Sequence, residues 1–158
     1  METRHLFIIQ TAILLGGTIF AWSQTLPQFG NFYTAYGTFF RFEDCVIPNP
    51  LATACFYGSI AFVVALLWSF RIMQNPDFAR ERRLKNFLIL CVLFAGSVFL
   101  YEVIDYYNIF SESAGAFPIS CTPGVFPLKT PCFYGLLFFA GSLVASVFVI
   151  RGLKGIRL

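Results

Sequence analysis

Residues Cys55–Phe70 read CFYGSIAFVVALLWSF, sixteen residues without a charge, and the first four letters return at Cys132–Gly135. Each copy of CFYG follows a proline-containing stretch that opens on another cysteine: CVIPNPLATACFYG from Cys45 and CTPGVFPLKTPCFYG from Cys121. The copies stand 77 residues apart. GGTIFAW at Gly16–Trp22 aligns with AGSVFLY at Ala95–Tyr101 at a neighbouring offset of 79, and Cys45 aligns with Cys121 at 76. After each CFYG comes a Phe- and Val-rich run ending in a basic residue, Arg71 or Arg151. The chain therefore reads as one helical hairpin written twice, over about 6–72 and 86–151. Two copies in the same orientation form a parallel repeat about an axis normal to a membrane.

Composition places those hairpins in lipid. Of 158 residues, 58% are hydrophobic and 12% are charged, against roughly 45–50% and about 25% in soluble domains. Four runs are long enough to cross a bilayer, which takes about 20 mostly apolar residues. The expected helices are about 6–24, 54–72, 86–106 and 131–150, within a single domain of 1–158. The segment to Trp22 has the charge and apolar core of a signal peptide, but AWSQTLPQ offers no small-x-small cleavage site, so it reads as a retained first helix. Spanning segments must satisfy their backbone polar groups internally, which predicts an all-α integral membrane protein, a four-helix bundle. Small residues at Gly17 and Ala21, and at Gly141 and Ala145, predict close helix approach. Gly58 and Gly135 are expected to admit a neighbouring helix or loop.

The net charge of +3 does not point to nucleic acid, because the basic residues are sorted by loop. Arg4, the connector residues Arg71, Arg80, Arg82, Arg83 and Lys85, and the tail residues Arg151, Lys154 and Arg157 fall on one side. The long loops hold only Arg41 and Lys129. The positive-inside rule then sets both termini in the cytoplasm and both cysteine loops outside. The connector arginines also suit anionic lipid.

In an oxidising outer compartment Cys45, Cys55, Cys121 and Cys132 are expected to pair. Four cysteines allow three connectivities, of which the repeat favours Cys45–Cys55 and Cys121–Cys132. Such links can be plain staples, each worth about 3 kcal/mol or somewhat less for loops of this length. They can also be redox-active. Cys55 and Cys132 stand at helix starts, behind Thr53 and Thr130 as caps and with Pro131 in the first turn, where amides and dipole favour a thiolate. Lys129 adds positive charge near Cys132, whereas Glu43 and Asp44 precede Cys45. Any redox pair is therefore expected at Cys121 and Cys132.

Four helices with both termini inside, and a cysteine pair in each outer loop, resemble the disulfide-bond-formation protein B family and, less closely, the vitamin K epoxide reductases. That resemblance implies electron transfer from a partner thiol protein to a quinone at the outer helix ends. Where those families carry CxxC, this chain carries CVIPNPLATAC and CTPGVFPLKTPC.

Glu102 and Asp105, three apart in YEVIDYY, share a face near the outer end of the third helix. They read either as a proton or cation site, with Arg41 as a partner, or as part of the wet aromatic belt of Tyr101, Tyr106 and Tyr107. Cys91 reads as an inert buried thiol, and a lone His5 makes no metal site. Three functions fit. The sequence favours a structural or interaction subunit of a membrane assembly with disulfide-stapled loops. A quinone-linked thiol–disulfide oxidoreductase is the alternative, and a small transporter the third. An apolar cleft at the Cys132 helix end, bounded by Glu102, would favour the redox reading.

Overall fold

The structure, a computed structural model, describes residues 3–40, 49–107 and 126–155. Four long helices make up its body: α1 (Thr3–Tyr36), α2 (Ala54–Gln74), α3 (Phe78–Tyr106) and α4 (Pro131–Gly155). Each is long and apolar enough to cross a membrane.

α2 and α4 begin where the sequence places them, and for the expected reason. A short 3₁₀ turn precedes each, Pro50–Ala52 and Pro127–Lys129. Thr53 and Thr130 then cap the helices, their hydroxyls accepting from Phe56 N and Phe133 N at 3.4 Å. α1 differs from expectation. It runs past residue 24 to Tyr36, through Pro27, although proline removes one helical hydrogen bond. Aromatic packing holds the extension: Phe32 is buried, and the Phe29 and Phe56 rings meet edge-on with centroids 5.6 Å apart. Gly37, at φ 67, ends it by donating its N–H to the Tyr33 carbonyl, the left-handed stop that glycine adopts freely. α3 also starts early, at Phe78 rather than near 86. Asp77 caps it by accepting from Ala79 N, and the RERRLK stretch consists of strong helix formers. The polar connector is thus mostly helix, and only residues 75–77 join α2 to α3.

The helices run alternately up and down. α1 packs against α2 and α4, α3 packs against the same two, and α1 and α3 lie diagonally opposite. One end of the bundle carries the 3₁₀ turns and is here the loop end. The other carries the α2–α3 turn and is the connector end.

α2 and α4, the other diagonal, meet at the axis through matching residues. Cys55 faces Cys132, with sulfurs 3.9 Å apart. One heptad along, the rings of Phe62 and Phe139 stack, with centroids 3.8 Å apart and planes at 6°. One heptad further, Ser69 and Ser146 are both buried and bond sideways, to Thr11 at 2.7 Å and to Glu81. In lipid such helices would gain nothing from hydrophobic association with each other, so that dispersion contacts and buried polar bonds would have to hold them.

Gly17 fulfils its role: a Cβ there would stand 2.5 Å from Phe62. At Gly141 it would meet Ile13 at 3.7 Å, an ordinary contact. The outer faces are apolar. Ile19, Leu90 and Leu93 are each more than 60% exposed, a surface that suits lipid and would be a liability in water.

Candidate active site at the loop end

Cys55 and Cys132 are each the second residue of a helix, so the same cap and first turn set both. Their separation of 3.9 Å is van der Waals contact, against about 2.05 Å for a bonded pair. They are not linked to one another, and little movement is needed to link them. The loop-end pairings expected for them, with Cys45 and Cys121, lie outside the described residues, as do the loops themselves and Arg41.

Behind the sulfurs lies a cavity of about 60 Å³. Phe20, Phe62, Phe94, Val98 and Phe139 supply its walls, with Cys55 and Cys132 at its loop-end edge. Gly58 and Gly135 also line it. A Cβ at either would meet nothing within 4 Å, so these glycines do not admit a neighbouring helix as expected. They keep the cavity open. Its polar lining is Gln24, Thr25 and Ser59, the last two with hydroxyls paired at 2.7 Å.

Glu102 does not bound the cavity as expected; it lies beside Cys132, outside the lining. It is 4% exposed, which removes it from the wet aromatic belt in which the sequence also allowed it. Its carboxylate lies near enough to the Cys132 thiol to act on it electrostatically. The Thr130 hydroxyl stands 2.8 Å from Glu102 Oε2 and 2.8 Å from the Pro127 carbonyl. Glu102 Oε1 is buried without a hydrogen-bond partner. The capping threonine of α4 therefore also orients a carboxylate beside the α4 cysteine. Asp105, expected to share this site, is only half-buried. Lys129 is exposed, so the charged group acting on Cys132 is an acid where a base was expected. Such an arrangement can take a proton from a thiol as its sulfur attacks.

The chain matches no family model, no curated protein and no solved structure. Its chemistry must be argued from its own residues.

The 77-residue offset held one unused signal. Were the repeat twofold, residues on its axis would meet their own equivalents, which pairs Cys55 with Cys132. Glu81, read within the connector, carried no local signal at all.

Proposed function

We propose that the protein is a membrane-embedded thiol–disulfide oxidoreductase that moves electrons between its two loop cysteine pairs and a quinone. The carrying observation is the 3.9 Å approach of Cys55 and Cys132 at the edge of an apolar cavity. Plain staples explain two identical caps but give no reason for the cysteines to touch, or for a buried carboxylate beside one of them.

In the proposed cycle the first pair starts as a Cys45–Cys55 disulfide and the second as a Cys121, Cys132 dithiol, reduced by an extracytoplasmic thiol protein. The Cys132 sulfur attacks Cys55 while Glu102 receives its proton. The Cys55–Cys132 bond forms, the Cys45–Cys55 bond breaks, and Cys45 leaves as a thiolate. Cys121 then attacks Cys132, giving the Cys121–Cys132 disulfide and releasing Cys55; the two protons pass to Cys45 and Cys55. The aromatic cavity fits the edge of a flat apolar ring. A quinone bound there would accept the two electrons and two protons of the Cys45, Cys55 dithiol, restoring the disulfide.

The meeting of Cys55 with Cys132 and of Phe62 with Phe139 supports the parallel repeat, because each pair is separated by the same 77 residues. Basic-residue sorting supports cytoplasmic termini and an extracytoplasmic loop end.

Redox titration of the protein in native membranes, read by thiol trapping, tests the reading. A loop-cysteine potential above about −300 mV, with a trappable Cys55–Cys132 species, is expected. Two pairs that resist reduction below that potential would return the protein to the structural class.

A further inference from the structure

A second buried acid lies toward the connector end, far along the bundle from the cysteines. Gln10, Glu81, Ser142 and Ser146, from α1, α3 and α4, are all 0% exposed. Glu81 Oε1 accepts from Gln10 Nε2 at 3.0 Å and from Ser146 Oγ. Both remaining atoms of this pair, Glu81 Oε2 and Gln10 Oε1, are buried without a partner, as is Ser142 Oγ four residues before Ser146 on α4. Burying an acceptor unpaired is costly, and more so for a charged one. This arrangement therefore calls for a ligand.

Among the described residues no cation supplies the missing contact. Arg4 and His5 on α1, Arg71 on α2, Arg80, Arg82 and Arg83 on α3, and Arg151 on α4 are exposed, and Lys85 is half-buried. Among the described residues none forms an ion pair with Glu81, and Arg80 lies 3.8 Å from Asp77 instead. The acids near α3's start and the hydroxyls of Thr11 and Ser69 are likewise committed elsewhere.

The unpartnered atoms identify the occupant. An amide beside a carboxyl can close two antiparallel hydrogen bonds, but only if the carboxyl carries a proton. Gln10 already donates to Oε1. A proton on Glu81 Oε2, donated to Gln10 Oε1, would satisfy both remaining atoms of the pair at once. An alkali cation would need a fuller shell of oxygens than the three unpartnered here. We propose that Glu81 is a proton-binding site at the bundle axis, its single proton shared with Gln10 and its carboxyl oriented by Ser146. Since α1 and α3 are diagonal neighbours without close backbone contact, this proton adds a second bond to the Gln10–Glu81 link between them. The site is independent of the thiol chemistry.

Infrared spectroscopy of the full chain in lipid vesicles tests this. The carbonyl stretch of a protonated, hydrogen-bonded carboxyl is expected at neutral pH. It should vanish in Glu81→Gln, persist in Glu102→Gln, and move to higher frequency in Gln10→Leu, which removes a hydrogen bond. Glu81→Gln keeps an N–H donor where the proton stood and should fold; should it not, the Gln10→Leu shift still decides. Exchanging sodium for choline should change nothing. Absence of a Glu81-dependent band across the pH range where the protein is folded would overturn the proposal. So would a band that appears only when sodium is withdrawn, which would make the occupant a metal cation.

Discussion

The two CFYG helix starts are alike in backbone and unlike in chemistry. Both follow a 3₁₀ turn, both are capped by threonine, and both present a cysteine as second residue. At α2 the capping hydroxyl of Thr53 bonds only locally, to the Pro50 carbonyl at 2.7 Å and the Phe56 N–H. At α4 the corresponding hydroxyl also holds Glu102, and Glu102 reaches Cys132. Two like helix starts thus bring two sulfurs together, and a single carboxylate makes them unequal. On this reading Cys132 is the attacking sulfur and Cys55 the attacked one.

The most severe way to break that comparison is to remove the sulfurs one at a time. Cys132→Ser should reduce quinone-linked oxidation of a thiol substrate to the uncatalysed rate. Cys55→Ser should block exchange between the loops, while a Cys121–Cys132 disulfide formed by an added chemical oxidant can still be reduced once by a thiol substrate. Single-turnover assays in vesicles separate the two results, and equal defects would remove the assigned direction. Next in size is Glu102→Gln. Loss of a positioned proton acceptor typically costs 10²–10⁴-fold, so exchange from Cys132 should slow by about 10²-fold. Alkylation of Cys55 should not change. If both cysteines slow together, the carboxylate acts on the bundle as a whole and not on one sulfur.

Much of this asymmetry could not be read along the chain. The caps, Pro131 and the helix starts were legible because they depend on residues within one turn. The α1 extension was not, because Phe32 and Phe29 stabilise it through contacts with distant residues that outweigh the cost of Pro27. Glu102 was legible as an oddity, a carboxylate in an apolar run, but its neighbour was not. Cys132 is 30 residues away in sequence, and the exposed Lys129 looked the closer charge. Glu81 stayed hidden since RERRLK resembles a solvated connector, whereas helix geometry turns one of its side chains inward. Gly58 and Gly135 were legible as special positions, yet glycine marks close packing and open space by the same letter.

Two glycines sharpen the comparison at the level of packing. Gly17 and Gly96 correspond at the 79-residue offset. A Cβ at Gly17 would press on Phe62, whose ring is pinned against Phe139, while one at Gly96 would meet nothing within 4 Å. Gly17→Ala should therefore destabilise the bundle by about 1–3 kcal/mol, the usual cost of overpacking. Gly96→Ala should be neutral, or gain up to about 1 kcal/mol from helix propensity. Thermal unfolding in detergent or vesicles, at fixed lipid composition, measures the difference. Equal responses would mean that the two hairpins pack alike.

The smallest expected difference lies in the caps themselves. Thr53→Ala removes one capping oxygen, worth about 1 kcal/mol. Thr130→Ala removes the same cap and also leaves Glu102 Oε2 without its hydroxyl, so that both carboxylate oxygens lack an O–H or N–H donor. The penalty for an unsatisfied buried acceptor adds about 1–3 kcal/mol. Part of that addition should disappear in the Glu102→Gln background, where the amide can turn to find new partners. A double-mutant cycle over Thr130 and Glu102 isolates the coupling, and a matching cycle over Thr53 and Glu102 should show none. Coupling in the first cycle and not the second would tie the inequality of the two helix starts to the bond between cap and carboxylate. Without coupling in either, Thr130 and Thr53 would be interchangeable caps, and the difference between the two cysteines would have to come from the Glu102–Cys132 contact alone.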